Sequence, residues 1–225
     1  MHPERREDKT VAVSRSLICV LFLASCGAPP RPPAAPDPAG LKREVVGILE
    51  SLERSFYMHW GSLETTAEYA RLQDAQVPIL RELADSNGEH ALMALRLLAK
   101  KAPSERFSPS AKAILYWSAF QREVHYNRWG MITKSGFAPG VYGHELLALG
   151  PVVAPYLQKS LRDVRRAALF GGEEERTSRI EGHRVCDYAW VFLATLFDRP
   201  LAFHADPRLR DPQIHELDLW LDRRK

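Results

Sequence analysis

His183, Cys186 and Asp187 bring an imidazole, a thiol and a carboxylate within five residues of one another. At the start of a helix such a thiol loses its proton more readily, because the unpaired amides there favour a thiolate. No second cysteine lies nearby to resolve a mixed disulfide, so the trio is incomplete as a redox site. His144-Glu145-Leu146-Leu147-Ala148 stops short of the H-E-x-x-H zinc pattern, because Ala148 offers no donor atom one turn on. Glu173, Glu174 and Glu175 stand in a row and read as a solvated loop tip rather than an acid–base pair. Neither a Gly-x-Ser-x-Gly elbow nor a P-loop occurs. These patterns assign no catalytic residue, no metal and no cofactor. Lys+Arg 31 against Asp+Glu 28 leaves a net charge of +3, too little for the concentrated basic face that nucleic acid needs.

Aromatic density is the other chemical signal. Tyr116, Trp117, Phe120, Tyr126, Trp129, Phe137 and Tyr142 fall within 27 residues, in a chain with 9 Phe, 7 Tyr and 5 Trp altogether. Inside that stretch, 127–141 reads as a glycine-punctuated loop. A loop of this length in a compact domain is functional or disordered, and its aromatic content argues against disorder. Two readings stay open. The loop plugs the end of a helical stack, or Trp129, Met131, Phe137 and Tyr142 form a binding surface.

The elements that must position these residues are helical. Residues 41–57 carry Val45, Ile48, Leu52 and Phe56 three or four apart. A weaker helix follows over 62–73, and 75–85 carries Val77, Leu80, Leu83 and Ala84. Ser86-Asn87-Gly88-Glu89 reads as a capping box opening a helix with Ala91, Leu95 and Leu98 on one face. Ser108-Pro109 opens the next, with Ile114, Trp117, Gln121 and Val124 as its stripe. Residues 142–149 and 152–161 flank a Gly150-Pro151 break. Residues 184–197 carry Val185, Ala189, Phe192, Leu193 and Leu196, and Asp211-Pro212 starts a last helix with Ile214, Leu217, Trp220 and Leu221. One strand pair fits the pattern, 168–170 with 178–180 around Gly171-Gly172. The expected class is all-α over 41–225.

The N-terminus reads as an address. Arg5, Arg6, Lys9 and Arg15 precede an apolar run over 17–24, followed by small residues, the order of a secretory signal. The run is far shorter than the roughly 20 residues that span a bilayer. Its end, Leu23-Ala24-Ser25-Cys26-Gly27, closely resembles the lipobox of bacterial lipoproteins. That resemblance implies cleavage after residue 25 and lipidation of Cys26. It also implies outer-membrane sorting in a Gram-negative cell, since Gly27 is not the aspartate that retains lipoproteins in the inner membrane. Residues 1–25 would then be the signal peptide and 26–40 the lipidated cysteine and a stalk. Six of residues 28–39 are proline, which favours an extended polyproline spacer of about 40 Å. With Cys19 discarded and Cys26 acylated, Cys186 stands alone, so no internal disulfide staples the body.

Val77-Pro78-Ile79-Leu80 can be laid over Ala154-Pro155-Tyr156-Leu157, and each is followed by Ala, Leu and Leu at one helical face: Ala91, Leu95, Leu98 and Ala189, Leu193, Leu196. Leu149-Gly150-Pro151, Pro155-Tyr156-Leu157 and Arg184-Val185-Cys186-Asp187 are similar to a HEAT-like repeat, with extra residues over 162–182 between the two helices. The resemblance implies a degenerate stack of helix pairs with a long inserted loop. It further implies that Arg184 and Asp187 open the second helix as structural residues, the aspartate tying down neighbouring backbone. The expected function is a lipid-anchored, periplasm-facing, non-catalytic scaffold that binds a protein or envelope component. The competing expectation is an enzyme or small-ligand binder working through 127–142 and the His183–Asp187 region.

Overall fold

The computed structural model describes residues 37–58, 63–104, 106–123, 128–133, 136–167 and 172–224. The signal segment, Cys26, most of the stalk, 168–170 and Val124 lie outside the described residues. No described helix is long and apolar enough to cross a membrane.

Helix α1 (Pro38–Met58) starts before the end of the expected stalk. Asp37 is the reason: its carboxylate accepts from the amides of Ala39 (3.1 Å) and Gly40 (3.0 Å), and Pro38 supplies the fixed φ of a first helical residue. Val45, Ile48, Leu49 and Leu52 recur on one face and are buried. A 3-10 turn (Leu63–Thr65) and short α2 (Ala67–Arg71) replace the weak helix, Thr66 Oγ1 capping α2 through the amide of Tyr69. Helices α3 (Val77–Asp85) and α4 (Ala91–Lys101) pack side by side. Between them, the expected capping box does not form. The hydroxyl of Ser86 donates to the Leu83 carbonyl instead (2.7 Å), and Asn87 takes a left-handed φ of 52°, so the segment closes α3 rather than opening α4.

Helix α5 (Pro109–Glu123) is capped by Ser108 as expected, Oγ accepting from the Ala111 amide at 3.1 Å. Its buried face is not the expected stripe. Ala113, Tyr116, Ala119 and Phe120 are buried, while Ile114 is exposed and Trp117 half-buried. The helix is turned by one residue from that stripe, which brings Tyr116 and Phe120 against Trp129. The aromatic segment then forms an antiparallel hairpin, β1 (Gly130–Thr133) with β2 (Gly136–Pro139), pairing Met131 with Ala138 and Ile132 with Phe137. The hairpin thus sits at 130–139. At the expected place, residues 178–180 belong to α8 (Gly172–Glu181).

Helix α6 (Val141–Leu147), a 3-10 turn (Gly150–Val153) and α7 (Ala154–Ser160) lead to α8, then α9 (Val185–Leu196) and α10 (Pro207–Asp222). Helix α9 is buried from Val185 through Ala194, the pattern of a helix that is apolar on every side. It packs against α7, α10 and α6. Helix α10 begins four residues before the expected Asp211-Pro212. Asp206 is its cap, accepting from the Arg208 amide at 2.9 Å, and Pro212 lies inside the helix. The Asp211 carboxylate is engaged elsewhere, by Arg184 Nη2 at 2.6 Å. The described body is therefore all-α with one small hairpin.

Candidate functional site

The four aromatic-segment residues do not form one face. Strand alternation turns Met131 outward, where it is 41% exposed, and Ile132 inward, while Trp129, just before β1, has no exposure at all. Trp129 meets Tyr116, Phe120, Tyr142 and Phe192 edge-to-face, with ring centroids 5.3 to 6.5 Å apart. Phe137 packs on Phe192 at 4.8 Å. Two glycines permit this closure. Gly130 has φ +132°, and a Cβ there would stand 2.6 Å from the Ala138 carbonyl oxygen. A Cβ on Gly143 would run into the carbonyl oxygen of Trp129.

Behind Trp129, Tyr142 is buried between two guanidinium groups. Arg96 lies 4.9 Å from its ring centroid and Arg128 5.5 Å. Arg128 Nη1 donates to Tyr142 Oη at 3.0 Å and Nη2 donates to the Glu53 carbonyl. On the other side, Glu145 accepts from Tyr116 Oη (2.7 Å) and pairs with Arg96 Nε (3.0 Å). Burial, with the Glu145 carboxylate beside it, holds the Tyr116 phenol well above its ordinary range, so it remains a donor. Burial likewise raises the Glu53 carboxyl, against the opposing pull of His90 and Arg128. In the sequence Glu145 stands out only as part of an incomplete zinc pattern. Its true partners come from α4 and α5, and no local spacing announces them.

In front of Glu145 opens a cleft of about 350 Å³ between α4, α5 and the end of α6. Leu63, Leu95 and Leu149 line it with apolar surface, and Lys100 and Lys112 stand among its lining cations. Lys100 is tied to Glu64 at 2.5 Å. Lys112 has no ion-pair partner among the described residues.

The His183–Asp187 region is turned inward. Asp187 Oδ2 accepts from the Arg184 amide at 2.8 Å, and Oδ1 stands 3.0 Å from Arg184 Nη2 and 3.3 Å from Arg210 Nε. Asp187 and Arg210 are both fully buried. Arg210 also donates to the carbonyls of Glu181 (2.9 Å) and Gly182 (3.1 Å), and its guanidinium lies 4.7 Å from the Phe203 ring centroid. Burial lowers the Arg210 pKa while Asp187 opposes that fall. His183 pairs with Glu181 at 3.0 Å. Burial, aided by the Asp187 carboxylate, pushes the Cys186 thiol up to about 12, the reverse of the activation that a helix start suggested. Among the described residues no three His, Cys, Asp or Glu side chains gather closely enough to hold a metal ion.

No family model, curated protein or solved structure matches the chain.

Proposed function

We propose that this protein is a lipid-anchored, periplasm-facing scaffold that binds a protein or envelope component without catalysing a reaction. The observation that carries the reading for the body is the fate of its most reactive side chains. Cys186, Asp187, His183 and Arg210 lie inside, with Asp187 paired to Arg210 and His183 to Glu181. A helix start that looked nucleophilic is a structural joint. The side-by-side pairs α3/α4 and α7/α9, with α5 packed against both α4 and α7, support the HEAT-like reading, since helix pairs of that kind gain their core by stacking.

The anchor rests on the Leu23-Ala24-Ser25-Cys26-Gly27 box and the basic and apolar segments before it. Several acyl chains at Cys26 would hold the protein to a membrane stably, at about 0.8 kcal/mol per buried CH₂. Gly27 favours the outer membrane. The proline-rich segment would hold the body off the surface, leaving its sides open to a partner.

Labelling cells with an alkynyl palmitate tests the anchor. The wild-type chain should carry the label, whereas Cys26→Ser should lose it and move to the soluble fraction. Retention of Cys26→Ser on membranes after a salt wash would overturn the anchor. In-cell crosslinking followed by purification from membranes should recover a discrete protein or envelope component with the wild type.

A further inference from the structure

We infer that the cleft between α4, α5 and the end of α6 is a binding site for a small aliphatic monocarboxylate. The inference is independent of the anchor and of any protein partner.

Charge decides the head group. Four ionised side chains line the cleft: Arg96, Lys100, Lys112 and Glu145. Arg96 is matched by Glu145 at 3.0 Å, and Glu145 is covered further by the Tyr116 hydroxyl. Lys100 is matched by Glu64. Among the described residues one cation is left over, Lys112, in the first turn of α5 and half-buried at the cleft wall. A single negative charge completes the balance. A dianionic phosphate would leave a charge unmatched beside Glu145, and an amine would meet Lys112 with only a carboxylate that is already paired to receive it.

Shape and surface decide the tail. The cleft's volume of about 350 Å³ lies near the lower end of the range for small-molecule sites. Its aliphatic lining comes from Leu63, Leu95, Ala99, Leu149 and the exposed Ala148. Aliphatic surface rewards a short hydrocarbon chain lying on it, while Lys112 holds the carboxylate. The Arg96–Glu145–Tyr116 cluster forms the rigid polar wall behind, fixed by helices α4, α5 and α6.

Hexanoate is the probe, titrated by calorimetry into the full chain carrying Cys26→Ser, a change outside the described body. One hexanoate should bind per chain. Lys112→Glu should weaken binding at least tenfold, and Ala148→Trp, which fills the cleft from an exposed position, should abolish it. Acetate and hexylamine should each bind at least tenfold more weakly than hexanoate. Circular dichroism melts of both variants report whether the fold is kept. The inference is overturned if hexanoate shows no saturable binding. It is equally overturned if either folded variant binds as the wild type does, or if acetate or hexylamine binds as tightly as hexanoate.

Discussion

Asp187 and Arg210 face each other across the α9–α10 junction with no solvent exposure on either, Nε 3.3 Å from Oδ1. The carboxylate also closes the first turn of α9 through the Arg184 amide. It therefore caps one helix and neutralises a guanidinium from another. Removing one member of a buried pair strands the other charge. Asp187→Ala should cost about 3–5 kcal/mol, well beyond the loss of an ordinary cap. Asp187→Asn keeps the shape and still strands Arg210, so it should also be clearly destabilised. Adding Arg210→Met to Asp187→Asn should restore part of the loss. Urea denaturation of the two single variants and the double variant measures the coupling, and strict additivity would show that the two side chains do not depend on each other.

Gly143 and Gly47 should respond in opposite directions. A methyl at 143 collides with the Trp129 carbonyl and comes 3.2 Å from the Phe192 ring, so Gly143→Ala should cost about 1–3 kcal/mol. A methyl at Gly47, on the exposed side of α1, meets nothing within 4 Å, so Gly47→Ala should gain about 0.5–1 kcal/mol. Thermal melts of both variants check the hairpin closure and the α1 register together.

Leu193 has no exposure and lies in the middle of α9. Leu193→Ala should cost about 2–5 kcal/mol through lost burial and the cavity left behind. A loss under about 1 kcal/mol by urea denaturation would mean that this face of α9 is not packed as described.

His183 gives the body an acid-sensitive term. Burial, opposed by Glu181, holds its imidazole below the ordinary value of 6.5. The unfolded chain therefore takes up a proton that the native state refuses. Stability from this group is intact above about pH 6.5 and falls as the pH drops through that value towards the native pKa. Glu53 acts the other way. Its carboxyl is raised above 4.5, so the native state keeps a proton that the unfolded chain releases, and its contribution strengthens as the pH falls towards 4.5. Melting temperatures between about pH 7 and about pH 5 should fall more steeply for the wild type than for His183→Gln. Equal slopes would remove His183 as the source.

Much of the helical frame was legible because its signals are local. The spaced apolar residues Val185, Ala189, Phe192 and Leu193 of α9 and the Ser108-Pro109 cap are each contained within one helix and its flank. The stripe of α5 is not legible locally, because hydrophobicity ranks Ile114 and Trp117 above Ala113 and Ala119, whereas the fold buries Ala113, Tyr116, Ala119 and Phe120. The hairpin was illegible because its strands are four residues long and begin with glycine, which is too short for alternation to register. Asp37-Pro38 and Asp206-Pro207 carry local helix-start signals, but one is embedded in a proline-rich run and the other competes with Asp211-Pro212. The Glu145 site was beyond reach for a different reason. Arg96 is 49 positions away and Tyr116 is 29, so only the folded chain brings them together.

The enclosure of α9 also sets how its amide protons exchange with solvent. From Val185 to Ala194 no side chain reaches the surface, so no fraying of one neighbour uncovers the helix. Deuterium enters its central amides when α6, α7 and α10 separate from it together, which dismantles the core. The slowest-exchanging amides of the protein should therefore cluster in α9, and their rate in plain buffer reads the free energy of the whole body without denaturant. Helix α8, with Arg176, Arg179 and Ile180 at the surface, should take up deuterium far earlier by opening alone.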